Sequence, residues 1–117
     1  MPQLTYVVHS CPVAGREDEY NDWDGNRHLA DVAAVQGFVG AQRFRLVDGE
    51  AEGAPRHGYL AIYMMKTDEP AAAIAQLTGL VESGEMHISE AFSIEDMAVH
   101  LYEAITPVVK SLARDIS

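Results

Sequence analysis

Residues 19–38 read EYNDWDGNRHLADVAAVQGF. Tyr20 and Trp23 stand three apart and are followed by Leu29, Val32 and Val35, so apolar positions return at helical spacing. The run Arg16-Glu17-Asp18-Glu19 places acids at the start of that stripe, where the helix macrodipole favours negative charge. Gly25 interrupts the stretch and predicts a weakened or bent turn, and Gly37 predicts its end.

Strands flank this helix. Leu4 to Ser10 (LTYVVHS) is rich in β-branched and aromatic residues and stops at Cys11-Pro12. Phe38 to Val47 (FVGAQRFRLV) alternates around Arg43 and Arg45 and reads as the second strand. The stretch from Asp48 to Gly58 holds three glycines and a proline and reads as a surface loop that also carries His57. Tyr59 to Lys66 (YLAIYMMK) is apolar enough for a strand buried on both faces. Thr67 or Asp68 suits the cap of a second helix, with Pro70 in its first turn, Ile74, Leu77 and Val81 on its apolar face, and Ser83-Gly84 at its end. Residues from Glu85 to Asp96 are irregular, Met97 to Ile105 reads as the fourth strand, and the tail from Val108 reads as a short helical turn or a frayed end.

The order is therefore β-α-β-β-α-β. Two helices cannot cover both faces of four strands, so the expected fold is α+β and ferredoxin-like, a four-stranded antiparallel sheet with both helices on one side. The uncovered face would hold Tyr, Val, Met and Ile, which predicts a homodimer formed by packing two such faces together. At 117 residues the chain fits one domain spanning 1–117.

Eight Lys and Arg against eighteen Asp and Glu give a net charge of −10, which argues against a nucleic-acid partner and against anionic membranes. Cys11 is the single cysteine, so no intrachain disulfide is available. No apolar run approaches the length of a membrane span, and the first residues lack a secretory pattern, so a cytoplasmic location is expected.

There is no GxGxxG, GxxxxGK[ST], HExxH or CxxC, and no spacing that supports a metal site, so no cofactor and no metal are expected. His28 and Asp31 lie three apart on one helical face, a spacing at which a carboxylate orients an imidazole and raises its pKa for acid–base work. The alternative is a solvated surface pair. His9 on the first strand and His100 and Tyr102 on the fourth sit on neighbouring strands, with Tyr59 and Tyr63 on the third. Convergence of these groups beside an apolar pocket would suit polarising a carbonyl and moving a proton; otherwise they are ordinary sheet or interface residues. His87 lies in the irregular segment, which is either a lid or a plain loop. Arg43 and Arg45 either pair with the excess acids or bind a substrate carboxylate.

The run Tyr20-Asn21-Asp22-Trp23-Asp24, then His28-Leu29-Ala30-Asp31-Val32 and Val35-Gln36-Gly37-Phe38, resembles the first-helix signature of EthD-like proteins of the dimeric α+β barrel superfamily. Asp24, Ala30 and Gln36 depart from that signature, which often has Tyr after the Trp and Pro at the other two positions. The resemblance implies a homodimer with a small apolar pocket in each subunit, His28 as acid–base and Trp23 as a pocket-lining residue. The wider superfamily includes muconolactone isomerases, polyketide cyclases, cofactor-free quinol-forming monooxygenases and haem-degrading enzymes. The leading expectation is a cofactor-independent isomerase, cyclase, dehydratase or lyase for a small cyclic or phenolic metabolite, working by His-mediated proton transfer. The catalytic set would be His28, Asp31, His9 and His100, and the substrate-binding set Trp23, Tyr59, Tyr63, Tyr102 and His87. A cofactor-free or haem-dependent monooxygenase and a non-enzymatic ligand-binding barrel are the alternatives.

Overall fold

A computed structural model describes residues 3–47 and 58–112. Four antiparallel strands, β1 (Gln3–Ser10), β2 (Phe38–Arg45), β3 (Tyr59–Lys66) and β4 (Ala98–Glu103), form one sheet in the order β2-β3-β1-β4. The register pairs Tyr6 with Tyr63 and Val7 with Ile62 on one side of β1, and Val7 with His100 and Val8 with Val99 on the other. Side chains on a strand alternate between faces, so this register sorts the sheet into two sides. Leu4, Ser10, Ala61, Tyr63 and Met65 are buried on the side that the helices cover. Thr5, Val7, His9, Ile62 and Met64 fall on the other side and are only partly buried. β3 was expected to be buried on both faces; it is buried at alternate residues, because the helices cover one face only.

The first helical segment is not uniform. It runs as α1 (Glu17–Trp23), a π-helical turn at Asp24–His28, and α2 (Leu29–Ala33). The bend expected at Gly25 is thus a widened turn with unbroken helical backbone on both sides. π-turns of this kind tend to lie at functional sites. Gly37 ends the segment at φ +99, and a Cβ there would stand 3.1 Å from the Ala73 Cβ of the second helical layer. Only glycine accommodates both demands.

Helix α3 (Pro70–Ser83) is capped at Glu69 rather than at Thr67 or Asp68, with Pro70 in the first turn. Thr67 still contributes, since its Oγ1 accepts a hydrogen bond of 3.0 Å from the Glu69 N–H. Gly84 closes the helix in the left-handed conformation. Ala73 and Leu77 are its buried residues, whereas Val81 is partly exposed at one end of the apolar face.

The segment after α3 lacks regular structure apart from a short 3-10 turn at Ile94–Asp96, but it is well anchored. Met86 inserts into the main core, Ala91 is fully buried, and the Val13 N–H donates to the Ala91 carbonyl at 2.7 Å. The loop expected at Asp48 to Gly58, His57 included, lies outside the described residues except for Gly58. Residues 104–112 carry no helix, and Ile105, Val108, Val109 and Leu112 are exposed. Among the described residues no helix is long and apolar enough to cross a membrane.

The main core gathers Leu4, Val32, Val35, Phe38, Tyr63 and Met65 where the helical layer meets β1, β2 and β3. Met65 is fully enclosed there. Met65→Ala is expected to cost about 2–5 kcal/mol of unfolding free energy in urea titration, the usual range for emptying such a site. A loss below about 1 kcal/mol would contradict this packing.

Candidate functional site

Between the helical layer and the sheet lies a cavity of ≈ 240 Å³. Tyr6 and Val8 of β1, Ala61 and Tyr63 of β3, and Val99 of β4 form its floor. Leu77 and Val81 of α3 line one wall, and Ile88 and Phe92 of the loop after α3 line another. The π-turn supplies the remaining wall through its first and last residues, Asp24 and His28.

Those two residues bring a carboxylate and an imidazole to a mostly apolar lining that also includes Ser10, Thr78, Tyr6 and Tyr63. Asp24 is 4% exposed, and its Oδ2 forms a 2.9 Å ion pair with the Arg43 Nε. Its Oδ1 is buried and has no hydrogen-bond partner, and the same is true of the His28 Nδ1. Burial raises the Asp24 pKa above the usual carboxylate value, outweighing the attraction of Arg43. Burial also depresses the His28 pKa to about 4, outweighing the pull of Asp31 in the opposite direction. His28 is therefore an uncharged imidazole at neutral pH. Tyr6 and Tyr63 have pKa values raised by burial and remain neutral phenols.

A second layer fixes this pair. The Arg43 Nη2 donates to the Asn21 Oδ1 at 2.8 Å, and the guanidinium lies over the rings of Tyr20 and Tyr59, 5.3 and 5.5 Å from their centroids. The Tyr59 hydroxyl donates to Glu17 and accepts from the Asn21 Nδ2, while Tyr20 and Ser10 share a hydrogen bond. Trp23 stacks on His28 with centroids 4.5 Å apart, and its Nε1 donates to the His87 carbonyl at 3.1 Å. The loop after α3 is thereby tied to the wall that holds the imidazole.

These positions revise the candidate set. His28 and Tyr63 line the cavity, and Trp23 backs the imidazole. Asp31 does not orient His28 as expected: it lies 3.6 Å from Arg27 one turn earlier, and desolvation sets the His28 pKa. His9, His100 and Tyr102 do not join the cavity, because the strand alternation that turns Tyr6 and Val8 toward the helices turns them to the opposite face. There His9 and His100 have ring centroids 6.3 Å apart, and His100 and Tyr102 likewise 6.3 Å. Tyr59 belongs to the support around Arg43 and is not part of the cavity lining. His87 contributes its backbone carbonyl, and the residue itself is exposed.

Asp24 is the residue that sequence reasoning did not select. Two signals pointed to it: its departure from the EthD-like pattern directly after Trp23, and Arg43 on the next strand. Of the two roles considered for Arg43, the structure places it against an acid of its own chain.

No protein-family model and no curated protein matches the chain. Solved structures do. A candidate antibiotic biosynthesis monooxygenase from Bordetella bronchiseptica superposes with a TM-score of 0.64 at 14% identity, covering 91% of this chain and 100% of that one. The haem degrader MhuD from Mycobacterium tuberculosis, solved with two haems in its active site, gives 0.62 at 20% identity over 91% and 99%. An EthD-like protein from Ralstonia eutropha gives 0.60 at 14% identity over 91% and 95%. At such identities the likeness establishes the ferredoxin-like α+β fold, and EthD-like is one of the kinds of protein that share it. The comparisons also overturn the order of the functional expectations. Neighbours carry the names of monooxygenases and a haem degrader, so the isomerase, cyclase, dehydratase or lyase reading gives way to the monooxygenase alternative.

Haem does not fit this cavity. Its ≈ 240 Å³ lies below the range of roughly 300–1,000 Å³ typical of sites for drug-sized ligands, and a tetrapyrrole is larger than most of those. Its lining includes no Lys or Arg to meet two propionates, and it does include the Asp24 carboxylate. Among the described residues no group of three or more His, Cys, Asp or Glu is placed to hold a metal ion.

A histidine buried in its neutral form binds fewer protons folded than unfolded. Its contribution to stability is therefore lost as pH falls from the unfolded value of 6.5 through about 4. Asp24, with a raised pKa, acts in the opposite sense, so the His28 effect is read as a difference between proteins. Between pH 7 and 4, wild type is expected to lose on the order of 3 kcal/mol more than His28→Leu in urea titrations. Parallel profiles for the two proteins would show that His28 is not buried as described.

Proposed function

We propose that the chain is an oxygen-consuming monooxygenase that requires no bound cofactor and acts on a small, uncharged, hydroxylated ring. The observation that carries this reading is the cavity itself: apolar walls, two buried unpartnered polar atoms on Asp24 and His28, and no cation in the lining. Such a site stabilises a flat apolar body and fixes it by a few polar contacts. The fold shared with named monooxygenases supports the choice of reaction class.

The chemistry needs no external reductant when the substrate is electron-rich. Oxidation of a ring CH₂ to a carbonyl releases four electrons, and one O₂ accepts them, one oxygen atom entering the product and the other leaving as water. The protein's part is to hold the ring, exclude bulk water and handle the proton. His28 presents an uncharged imidazole nitrogen for a hydrogen bond to a ring oxygen, with Trp23 stacked behind it to fix the plane. Tyr63 and Tyr6 offer neutral phenols along the floor.

The open face of the sheet supports a homodimer as the working form. Val7, Ile62 and Met64 are only partly buried there, and Phe44, on the same face, is 41% exposed. Association that buries this face removes apolar area from water, the usual driving force for such interfaces. Sedimentation at micromolar concentration is expected to give the mass of two chains. The mass of one chain would overturn the dimer.

Activity is tested with a panel of anthrones, naphthols and hydroquinones in an oxygen electrode, with products followed by absorbance. Wild type is expected to consume one O₂ per ring oxidised, and His28→Ala to lose at least about tenfold in kcat/KM, the worth of a hydrogen bond in a buried site. Conversion of a ring without oxygen uptake would overturn the reaction class, and an unchanged rate in His28→Ala would remove His28 from the site.

A further inference from the structure

We infer that Asp24 is the catalytic residue that takes the substrate's proton, through Oδ1, and that the site therefore selects neutral rings bearing a hydrogen-bond donor and turns away carboxylates and phosphates. This rests on the monooxygenase reading above and extends it to a residue and a substrate class.

The geometry points to Asp24 in three ways. Its side chain is 5% exposed and lines the cavity, yet only one of its two carboxylate oxygens is engaged. A buried carboxylate oxygen with no partner is costly, and natural proteins keep one where a ligand completes it. The engaged oxygen is held by Arg43, which is itself fixed by Asn21 and by the rings of Tyr20 and Tyr59, so the free oxygen has a defined position. Finally, the π-turn that begins at Asp24 and ends at His28 sets both residues in the wall of the same cavity.

Position and charge together favour Asp24 as the base, since its second oxygen is fixed by the Arg43 pair and left without a partner. His28 is held neutral with a pKa of about 4, so taking up a proton there at neutral pH is uphill. Burial moves Asp24 the other way, above the usual carboxylate value, which makes its carboxylate a stronger proton acceptor than an exposed one. In the step, an acidic ring C–H or O–H bond breaks, an O–H bond forms on Asp24 Oδ1, and the electron pair stays with the ring. The resulting anion is the species that O₂ oxidises, with the electron balance given above. Arg43 is already committed to Asp24, and the lining holds no further cation to receive an anionic substrate.

The test uses the full chain and two probes, 1-naphthol and its methyl ether, which differ in the hydroxyl donor. Ligand-observed NMR gives their affinities, and an oxygen electrode with anthrone gives turnover. Wild type is expected to prefer 1-naphthol by at least about tenfold. Asp24→Asn should abolish that preference, leave binding of the ether unchanged, and lower anthrone turnover by at least about a hundredfold. Should Asp24→Asn fail to fold, the double variant Asp24→Asn/Arg43→Gln, which leaves no unpaired buried cation, makes the same comparison. A naphthol preference that persists in the variant that folds, or turnover unchanged in it, would overturn the assignment. A lost preference with no oxygen uptake from any ring in wild type would overturn the monooxygenase reading and leave Asp24 as the pocket's proton acceptor.

Discussion

The ion pair between Arg43 and Asp24 joins the sheet to the helical layer at the place where the helix widens. It is 2.9 Å long, with both partners largely withdrawn from solvent. Removing one partner of such a pair leaves an uncompensated charge and costs about 3–5 kcal/mol, although the intact pair adds little net stability. Its value is geometric. Arg43 comes from β2, Asn21 and Tyr20 from α1, Tyr59 from β3, and all of them meet around one guanidinium. The position of the Asp24 carboxylate, and of the turn that carries His28, follows from that convergence.

The sheet shows a second constraint. The helices cover one side, and the alternation of β1, β3 and β4 then divides the polar residues of the strands between two environments. Tyr6, Ser10 and Tyr63 face the cavity, and His9, His100 and Tyr102 face away from it. A shift of one residue in register would exchange the two sets, which is why the register carries as much functional weight as the fold.

Much of the architecture was legible in the sequence. The bounds of β3 were read to the residue, the stop at Gly84 was anticipated, and the β-α-β-β-α-β order follows from periodicity and punctuation. His28 and Tyr63, singled out because imidazole and phenol groups stand out against apolar runs, both line the cavity. What could not be read was orientation. Spacing puts Asp31 near His28, but burial, a property of the packed chain, depresses the His28 pKa despite it, while Asp31 lies beside Arg27. Strand order puts His9 near His100 or Tyr102, and its ring does lie beside that of His100, but strand order does not say which face they share. Asp24 was passed over because an acid in an acidic helix looks like surface, and only the approach of Arg43 from a distant strand shows otherwise.

Trp23 is the single tryptophan of the chain, and its indole touches both the imidazole of His28 and the carbonyl of His87. Excited at wavelengths that the five tyrosines do not absorb, the protein therefore emits from one spot, the seam between the cavity wall and the loop after α3. A fluorophore so placed makes the chain its own optical gauge. Loosening of that loop, displacement of the indole or a change in the imidazole beside it alters this one signal, with no added label.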